Sequence, residues 1–295
     1  MTAPLPAAAT EAASSPAVMS DADFEAFTRL IHHQTGIVIT DAKRSMLVSR
    51  LSRRLRKLGL ADFSSYRRLL ESKESEAERR ELVSVITTNV TSFFREPVHF
   101  DRLKEMIPAF AERARNGERI RLWSAGCSSG EEPYSIALTL REHWRDLSGV
   151  DLRILATDID PEMVAHARRG QYSAQQIGDS PPDILRRNTT RAADSNSHMV
   201  NPALREHLRF EELNLLGPWP FKGTFDVIFC RNVVIYFDGP TRKRLWKRFA
   251  ERLRPGGALF IGHSERVDAE LETFLRPDGV TQYQRTDTAL GPMAP

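Results

Sequence analysis

No stretch of this sequence reaches eighteen consecutive apolar residues, so no segment is suited to cross a membrane as a helix and direct membrane insertion is not expected. Cysteine is nearly missing as well. Cys127 and Cys230 are the only two in 295 residues, and neither has His or Cys neighbours at zinc-ligand spacing. A disulfide framework and a zinc cluster are therefore both excluded, both thiols read as small buried hydrophobes, and the reducing cytoplasm is the expected compartment. The opening stretch, MTAPLPAAATEAASSPAVMS, has neither the basic start nor the apolar core of a secretory signal. It reads as a disordered tail over residues 1–19, with a second short tail at 289–295.

The formal net charge is only +3, but its distribution is uneven. Lys43, Arg44, Arg50, Arg53, Arg54, Arg56 and Lys57 follow one another with no acid between them. Such a block marks either a solvated face or a surface for an anionic partner. Nucleic acid is the less favoured partner, because aromatic residues are sparse in the block.

Residues 20–86 carry helical periodicity and no strand pattern. Ser20 and Asp21 are N-cap candidates for a helix that Gly36 ends. Asp41 precedes a second helix in which Leu47, Val48, Leu51, Leu55 and Leu58 share one face, and Gly59 closes it. Arg50, Arg53, Arg54 and Lys57 keep the same spacing on an adjacent face. A third helix follows Asp62, and a fourth runs from about Ser75 to Ile86.

From residue 87 to 288 the texture changes. RIRLWSAGCSSGEEPYSIALTL reads as strand, glycine-bearing loop and helix; LRILATDID and PEMVAHARRG as strand and helix; FDVIFC as a buried strand; TRKRLWKRFAERLRPGGALFIGHSE as helix, turn and strand. Strands alternating with helices predict a doubly wound, mostly parallel α/β sheet, whose ligands sit beyond the carboxyl ends of the strands. Residues of about 180–209 fit neither period and read as an insertion.

The loop Gly126-Cys127-Ser128-Ser129-Gly130 lets backbone approach a ligand closely, because glycine accepts positive φ. It is not G-x-G-x-x-G, and no Walker lysine follows, so phosphate binding is disfavoured. Asp158 ends the next strand, where an acid accepts from ribose hydroxyls in nucleotide-type sites. Glu131 and Glu132 suit the helix dipole, would repel a phosphate and suit a cationic or hydroxyl-bearing ligand. S-adenosylmethionine, with its ribose, amino acid end and positive sulfonium, fits this loop better than a nicotinamide dinucleotide.

TNVTSFFRE (88–96), SAGCSSGEEPYSIA (124–137), ATDID (156–160), NLL (214–216), FDVIFCRNVVIYF (225–237) and LRPGGALFIGHSE (253–265) together resemble the CheR family of chemotaxis receptor methyltransferases over residues 20 to about 288. The resemblance implies a Rossmann-like class I methyltransferase domain behind a small all-helical domain. It implies methyl esters formed on receptor glutamates from S-adenosylmethionine, with S-adenosylhomocysteine as product. It also implies roles: Asn89, Thr91, Arg95, Glu131, Asp158, Asn214, Leu215, Arg231 and Asn232 toward the cofactor, and Arg95 and Tyr236 toward the methyl acceptor. The basic helix, through Arg50, Arg53, Arg54 and Lys57, would dock on the cytoplasmic methylation helices of a receptor. In many relatives a glycine-bearing hairpin in the insertion grips a receptor C-terminal pentapeptide. Here RAADSNSHMV (191–200) has no glycine, with only Asp194 and Asn196 tolerant of a tight turn, so independence from such a tether is expected.

The chemistry itself requires little. A glutamate side chain with pKa of about 4.3 is already a nucleophile at neutral pH. Attack on a sulfonium methyl is one in-line displacement, so neither a metal nor a general base is called for. The protein has to hold the reactants in line and exclude water. Arg95 can fork to the carboxylate without giving up its proton, and Tyr236 can donate one hydrogen bond.

Overall fold

The computed structural model describes residues 18–72, 74–178, 182–193 and 196–289. The tails expected at 1–19 and 289–295 thus fall almost wholly outside the described residues, as does Asp194. The chain divides into two units: one of the residues up to Leu30 with Ile39–Ile86, the other of Ile31–Val38 with everything from Thr87 onward. The segment 31–38, expected within the helical domain, groups with the larger unit.

The smaller unit is helical. α1 (Asp21–Thr35) starts at Ser20, whose hydroxyl accepts the Asp23 N–H at 3.1 Å. α2 (Arg44–Leu58) ends at Gly59, left-handed at φ 66°. α3 (Phe63–Glu71) is capped by Asp62, which accepts from the Ser65 N–H at 2.7 Å. α4 (Glu76–Ile86) completes the set. Leu47, Leu51 and Leu55 of α2 are buried among Phe27, Phe63, Tyr66 and Leu82.

Arg54 is buried with them, at 8% exposure, and this corrects its expected place on a docking face. Counting from Leu47 and Leu51, position 54 falls on the leucine stripe itself. Its Nε and Nη2 fork onto Glu78 at 2.8 and 2.5 Å, its Nη1 reaches Glu81 at 2.7 Å, and the Tyr66 hydroxyl donates to Glu78 at 2.7 Å. Arg50 is also turned to structural use: it donates to the carbonyls of Val85 and Ile86 at the end of α4. Arg53, Arg56 and Lys57 remain exposed.

In the larger unit the elements follow as α5 (Val98–Arg115), β1 (Ile120–Ala125), α6 (Glu131–His143), β2 (Leu152–Asp158), α7 (Pro161–Arg169), β3 (Gln171–Ser173), α8 (Ala174–Ile177), α9 (Asp183–Arg187), β4 (Thr189–Arg191), β5 (Ser197–Val200), β6 (Leu208–Glu212), β7 (Phe225–Cys230), α10 (Gly239–Arg252), β8 (Leu253–Ile261), β9 (Leu275–Pro277) and β10 (Gln282–Arg285). Seven strands form one sheet in the order β6-β2-β1-β7-β8-β10-β9, parallel from β6 to β8 and antiparallel beyond. The chain winds outward from β1 through β2 to β6, then returns to place β7 on the other side of β1. The crevice between β1 and β7 is therefore the topological switch point, where such sheets bind ligands. The central strands β1 and β7 are buried along almost their whole length, as a sheet covered on both faces requires.

Three local readings change. LRFEE (208–212), partly assigned to the insertion, is the edge strand β6, with charged side chains protecting its rim. The Pro255-Gly256-Gly257 turn lies inside β8 as an irregularity, where register jumps from Phe225↔Leu253 to Val227↔Ala258. The insertion begins earlier than residue 180 and forms a three-stranded antiparallel sheet, β3-β5-β4. β4 and β5 pair as a hairpin, with Ala192 N–H bonded to the Ser197 carbonyl at 2.8 Å. β4 and β5 thus pair although residues 191–200 contain no glycine.

Replacing Arg54 by Met leaves the Glu78 carboxylate, its side chain 12% exposed, without its forked cation and should cost about 3 kcal/mol of stability in denaturant unfolding of the full chain. Arg53→Met, at an exposed site, should change it by less than about 0.5 kcal/mol. Equal effects of the two substitutions would contradict the different placement of these neighbours.

Candidate active site at the carboxyl ends of the strands

The loop after β1 is folded against the end of β2. The N–H groups of Gly126 and Cys127 both donate to the Thr157 carbonyl at 2.8 Å, and the Ser128 N–H donates to Asp158 Oδ2 at 2.7 Å. Gly126 and Gly130 adopt φ of 87° and 99°. A Cβ on Gly126 would lie 2.4 Å from Val233 in the loop after β7, and one on Gly130 would lie 2.7 Å from Ala167. Both glycines are needed for close approach as well as for their backbone angle.

Asp158 is buried, and its second oxygen accepts the Asp160 N–H at 3.0 Å. Burial pushes its pKa up to about 6; the N–H groups of Asp160 and Ser128 pull it down and the nearby Asp160 carboxylate pushes it up. Asp160 caps α7 through the Glu162 N–H and also accepts from Thr87 Oγ1 at 3.0 Å and Asn89 Nδ2 at 2.8 Å. The Ser128 hydroxyl donates to the Asn89 carbonyl at 3.0 Å. Asn89 is therefore held to Asp160 by its side chain and to the glycine loop by its carbonyl, and Thr91 follows it half-buried.

The two glutamates that open α6 differ. Glu131 accepts from Ser129 Oγ at 2.6 Å and from Gln176 Nε2 at 3.1 Å. Glu132 accepts from Ser124 Oγ at 2.7 Å and from Arg231 Nη1 at 3.0 Å; burial raises its pKa, and the adjacent guanidinium works against that rise. The side chain of Arg231 is 3% exposed. Its other terminal nitrogen donates to the Arg95 carbonyl and lies 3.4 Å from Glu96. Burial alone would raise the pKa of Glu96, but Arg231, the His263 side-chain and backbone bonds and His99 together lower it.

Arg95 is differently placed. Its Nη1 donates to the Val90 carbonyl at 3.0 Å, and among the described residues it forms no ion pair. Tyr236 ends the single turn Val234–Tyr236 after β7, and its carbonyl accepts the Val38 N–H at 2.9 Å. That turn hangs on Glu265. Its buried carboxylate accepts the N–H groups of Asn232, Val233, Val234 and Gly262 at 2.6 to 3.0 Å. Among the described residues five non-glycine residues have positive φ, and four of them, Phe94, Glu96, Ser128 and Asn232, lie in these segments. Strained backbone concentrated this way marks a functional site.

Residues 89–282 match the family model for the CheR methyltransferase SAM binding domain, and residues 22–87 match that for the CheR methyltransferase all-alpha domain. The chain belongs to the CheR methyltransferase family. A probable chemotaxis protein methyltransferase of Rhizobium etli is 44% identical over 89% of this chain and 99% of its own length. The chemotaxis protein methyltransferase of Escherichia coli is 41% identical, covering 90% and 91%. Chemotaxis protein methyltransferase 2 of Pseudomonas aeruginosa is 40% identical, covering 88% and 92%. This CheR chain is accordingly an S-adenosylmethionine-dependent methyltransferase with a mixed α/β catalytic fold. No helix among the described residues is long and apolar enough to cross a membrane, and no group of three or more His, Cys, Asp or Glu among them is placed to hold a metal.

Within this CheR site the sequence-based assignments separate into two groups. Asn89, Thr91, Arg95, Glu131, Asp158 and Asn232 lie on the segments that converge at the ends of β1, β2 and β7. Asn214, Leu215 and Arg231 have structural duties of their own. Asn214 donates to the Gln34 carbonyl at 2.7 Å and accepts the Leu216 N–H at 2.9 Å. Leu215 is buried in the core beside Trp123. Arg231 is committed to Glu132, Glu96 and the Arg95 carbonyl. Glu96, Asp160 and Glu265 had been given no role. Asp160 and Glu265 both lie in quoted motifs, and what identifies them is burial with two or more N–H donors, which sequence spacing does not encode.

The donor set suits S-adenosylmethionine: two buried carboxylates, Asp158 and Glu131, beside a loop that admits close backbone approach. If Asp158 must be ionised to accept ligand hydroxyls, affinity for S-adenosylhomocysteine should be full above pH 7. It should be about tenfold weaker at pH 5, because protonation at a pKa near 6 competes with binding. Asp158→Asn should bind weakly at both pH values. Calorimetric titration of both proteins checks this, and a wild-type affinity that is flat over the range would remove Asp158 from the ligand.

Proposed function

We propose that this protein transfers the methyl group of S-adenosylmethionine to glutamate side chains of chemotaxis receptors, forming methyl esters in the cytoplasm. The observation that carries the reading is Arg95: a half-buried cation without a carboxylate partner among the described residues, on a strained segment beside the cofactor loop. Asp158 and Glu131 would take the hydroxyl-bearing and cationic parts of the cofactor, with Asn89, Thr91 and Asn232 closing around them. When bound, the cofactor supplies an electrophilic methyl group on a positive sulfur.

The chain's own residues then have three tasks. Arg95 orients the acceptor carboxylate as a fixed guanidinium cation that can fork to both oxygens. Tyr236 donates a further hydrogen bond and limits rotation of the carboxylate. Arg231, through the Arg95 backbone and Glu96, fixes where Arg95 begins. Neither aiming group removes charge from the nucleophile, which suits a displacement that consumes a carboxylate rather than an alcohol. Receptor docking would rest on the exposed cations of α2, Arg53, Arg56 and Lys57, whose attraction to an acidic helix pair sets encounter more than affinity.

Mass spectrometry of a receptor cytoplasmic fragment incubated with the enzyme and cofactor should reveal base-labile methyl esters on glutamate. Arg95→Ala should lower kcat at least tenfold, since removing one transition-state donor typically costs about 2.7–4 kcal/mol. Methylation of Asp, Gln or nucleic acid in place of glutamate would contradict the assignment, as would an Arg95→Ala enzyme within twofold of wild type.

A further inference from the structure

The insertion reaches the glycine loop through two of its residues. Tyr172, on β3, is fully buried, and its hydroxyl donates to the Ser129 carbonyl at 2.8 Å. Gln176, on α8, donates from Nε2 to Glu131 Oε1 at 3.1 Å. The orientation of that amide is fixed by its other end. Ser173 and Gln176 form a capping box: the Ser173 hydroxyl accepts the Gln176 N–H at 3.2 Å, and Gln176 Oε1 accepts the Ser173 N–H at 3.0 Å. Turning the amide over would set its NH2 group against the Ser173 N–H and its carbonyl against the Glu131 carboxylate. Glu131 itself is buried at 2% exposure and forms no ion pair among the described residues. Each of its oxygens has one neutral donor, Gln176 on one and Ser129 Oγ, at 2.6 Å, on the other. Neutral donors hold a buried carboxylate in place without cancelling its charge, which favours a cationic group beside it.

We infer that Gln176 is a positioning residue for the cofactor: from the insertion it fixes the Glu131 carboxylate that S-adenosylmethionine meets. The inference rests on the assignment of Glu131 to the cofactor. A single donor leaves a carboxylate free to turn about its terminal bond, whereas a donor on each oxygen fixes its plane. Ser129 supplies the first donor from within the glycine loop, and Gln176 supplies the second from outside it. Tyr172 steadies the same loop through the Ser129 carbonyl, and its ring packs against Phe93 with 4.9 Å between centroids. The insertion is thereby a supporting wall of the cofactor site.

The test is calorimetric titration of the full-length protein with S-adenosylhomocysteine. Gln176→Glu keeps an acceptor for the cap but replaces the donor toward Glu131 by a second carboxylate, and should weaken affinity about tenfold or more. Gln176→Leu, which removes the donor without adding charge, should weaken it in the same direction. Ser173→Ala removes the cap and leaves the donor; it should lower the thermal midpoint and keep affinity within about twofold. Glu131→Gln should weaken binding by itself, and adding Gln176→Glu to it should cost little more, because the second change acts through the first residue. Equal losses in Ser173→Ala and Gln176→Leu would reduce Gln176 to a helix cap. Affinity within twofold of wild type in both Gln176 variants, with Glu131→Gln weakened, overturns the positioning role and leaves Glu131 in the site. Unchanged affinity in Glu131→Gln overturns the cofactor assignment and the inference together.

Discussion

The buried guanidinium of Arg231 is the interaction on which the site depends. It leaves the carboxyl end of β7, pairs with Glu132 in the first turn of α6, approaches Glu96 and donates to the Arg95 carbonyl. One side chain thus joins a central strand, the helix that follows the glycine loop and the segment that carries Arg95. Removing three charged groups from water is costly, and pairing only offsets that cost. A hydrophobic cluster could stabilise the same junction as well. What an ion pair adds is direction: an apolar contact would not fix the carbonyl of Arg95 or the strained φ values of Phe94 and Glu96.

The same device recurs with backbone donors. Asp158, Asp160 and Glu265 each gather N–H groups from loops at the strand ends. The carboxylates hold irregular backbone that has no ladder partner, as buried N–H groups require. They also make the site acidic at its base, which suits a ligand bearing positive charge, while burial more than the neighbouring acids raises the pKa of Asp158. Arg95, outside this set of pairings, donates to the Val90 carbonyl and forms no ion pair among the described residues. Acidic base, strained loops and a cation without a carboxylate partner among the described residues belong to a single arrangement, in which buried acids fix the loops and the partner charges are distributed unequally.

Much of this was legible in the sequence, for identifiable reasons. The four N-terminal helices were readable because caps and leucine spacing are local signals. The parallel sheet was readable because strand-like, mostly apolar segments alternate with helical ones along the chain. Arg54 was misread because charge was weighed above position: it shares the stripe of Leu47 and Leu51, and only the acids of α4, more than twenty residues away, make its burial tolerable. The pairing duty of Arg231 was not legible for a related reason. Its partners Glu96 and Glu132 come from segments that spacing does not bring together. β6 was hidden by the charges that protect an edge strand, and the β4–β5 hairpin by the assumption that its turn needs glycine.

The central claim is that the Arg231 clamp preorganises the segment carrying Arg95. Amide hydrogen exchange of an Arg231→Met variant, compared with the wild-type protein, tests it directly. The account predicts faster exchange confined to residues of about 92–96 and the start of α6, while β1, β2 and β7 keep their protection. Wild-type protection across 92–96 in the variant would contradict it and leave Arg231 as an ordinary buried ion pair.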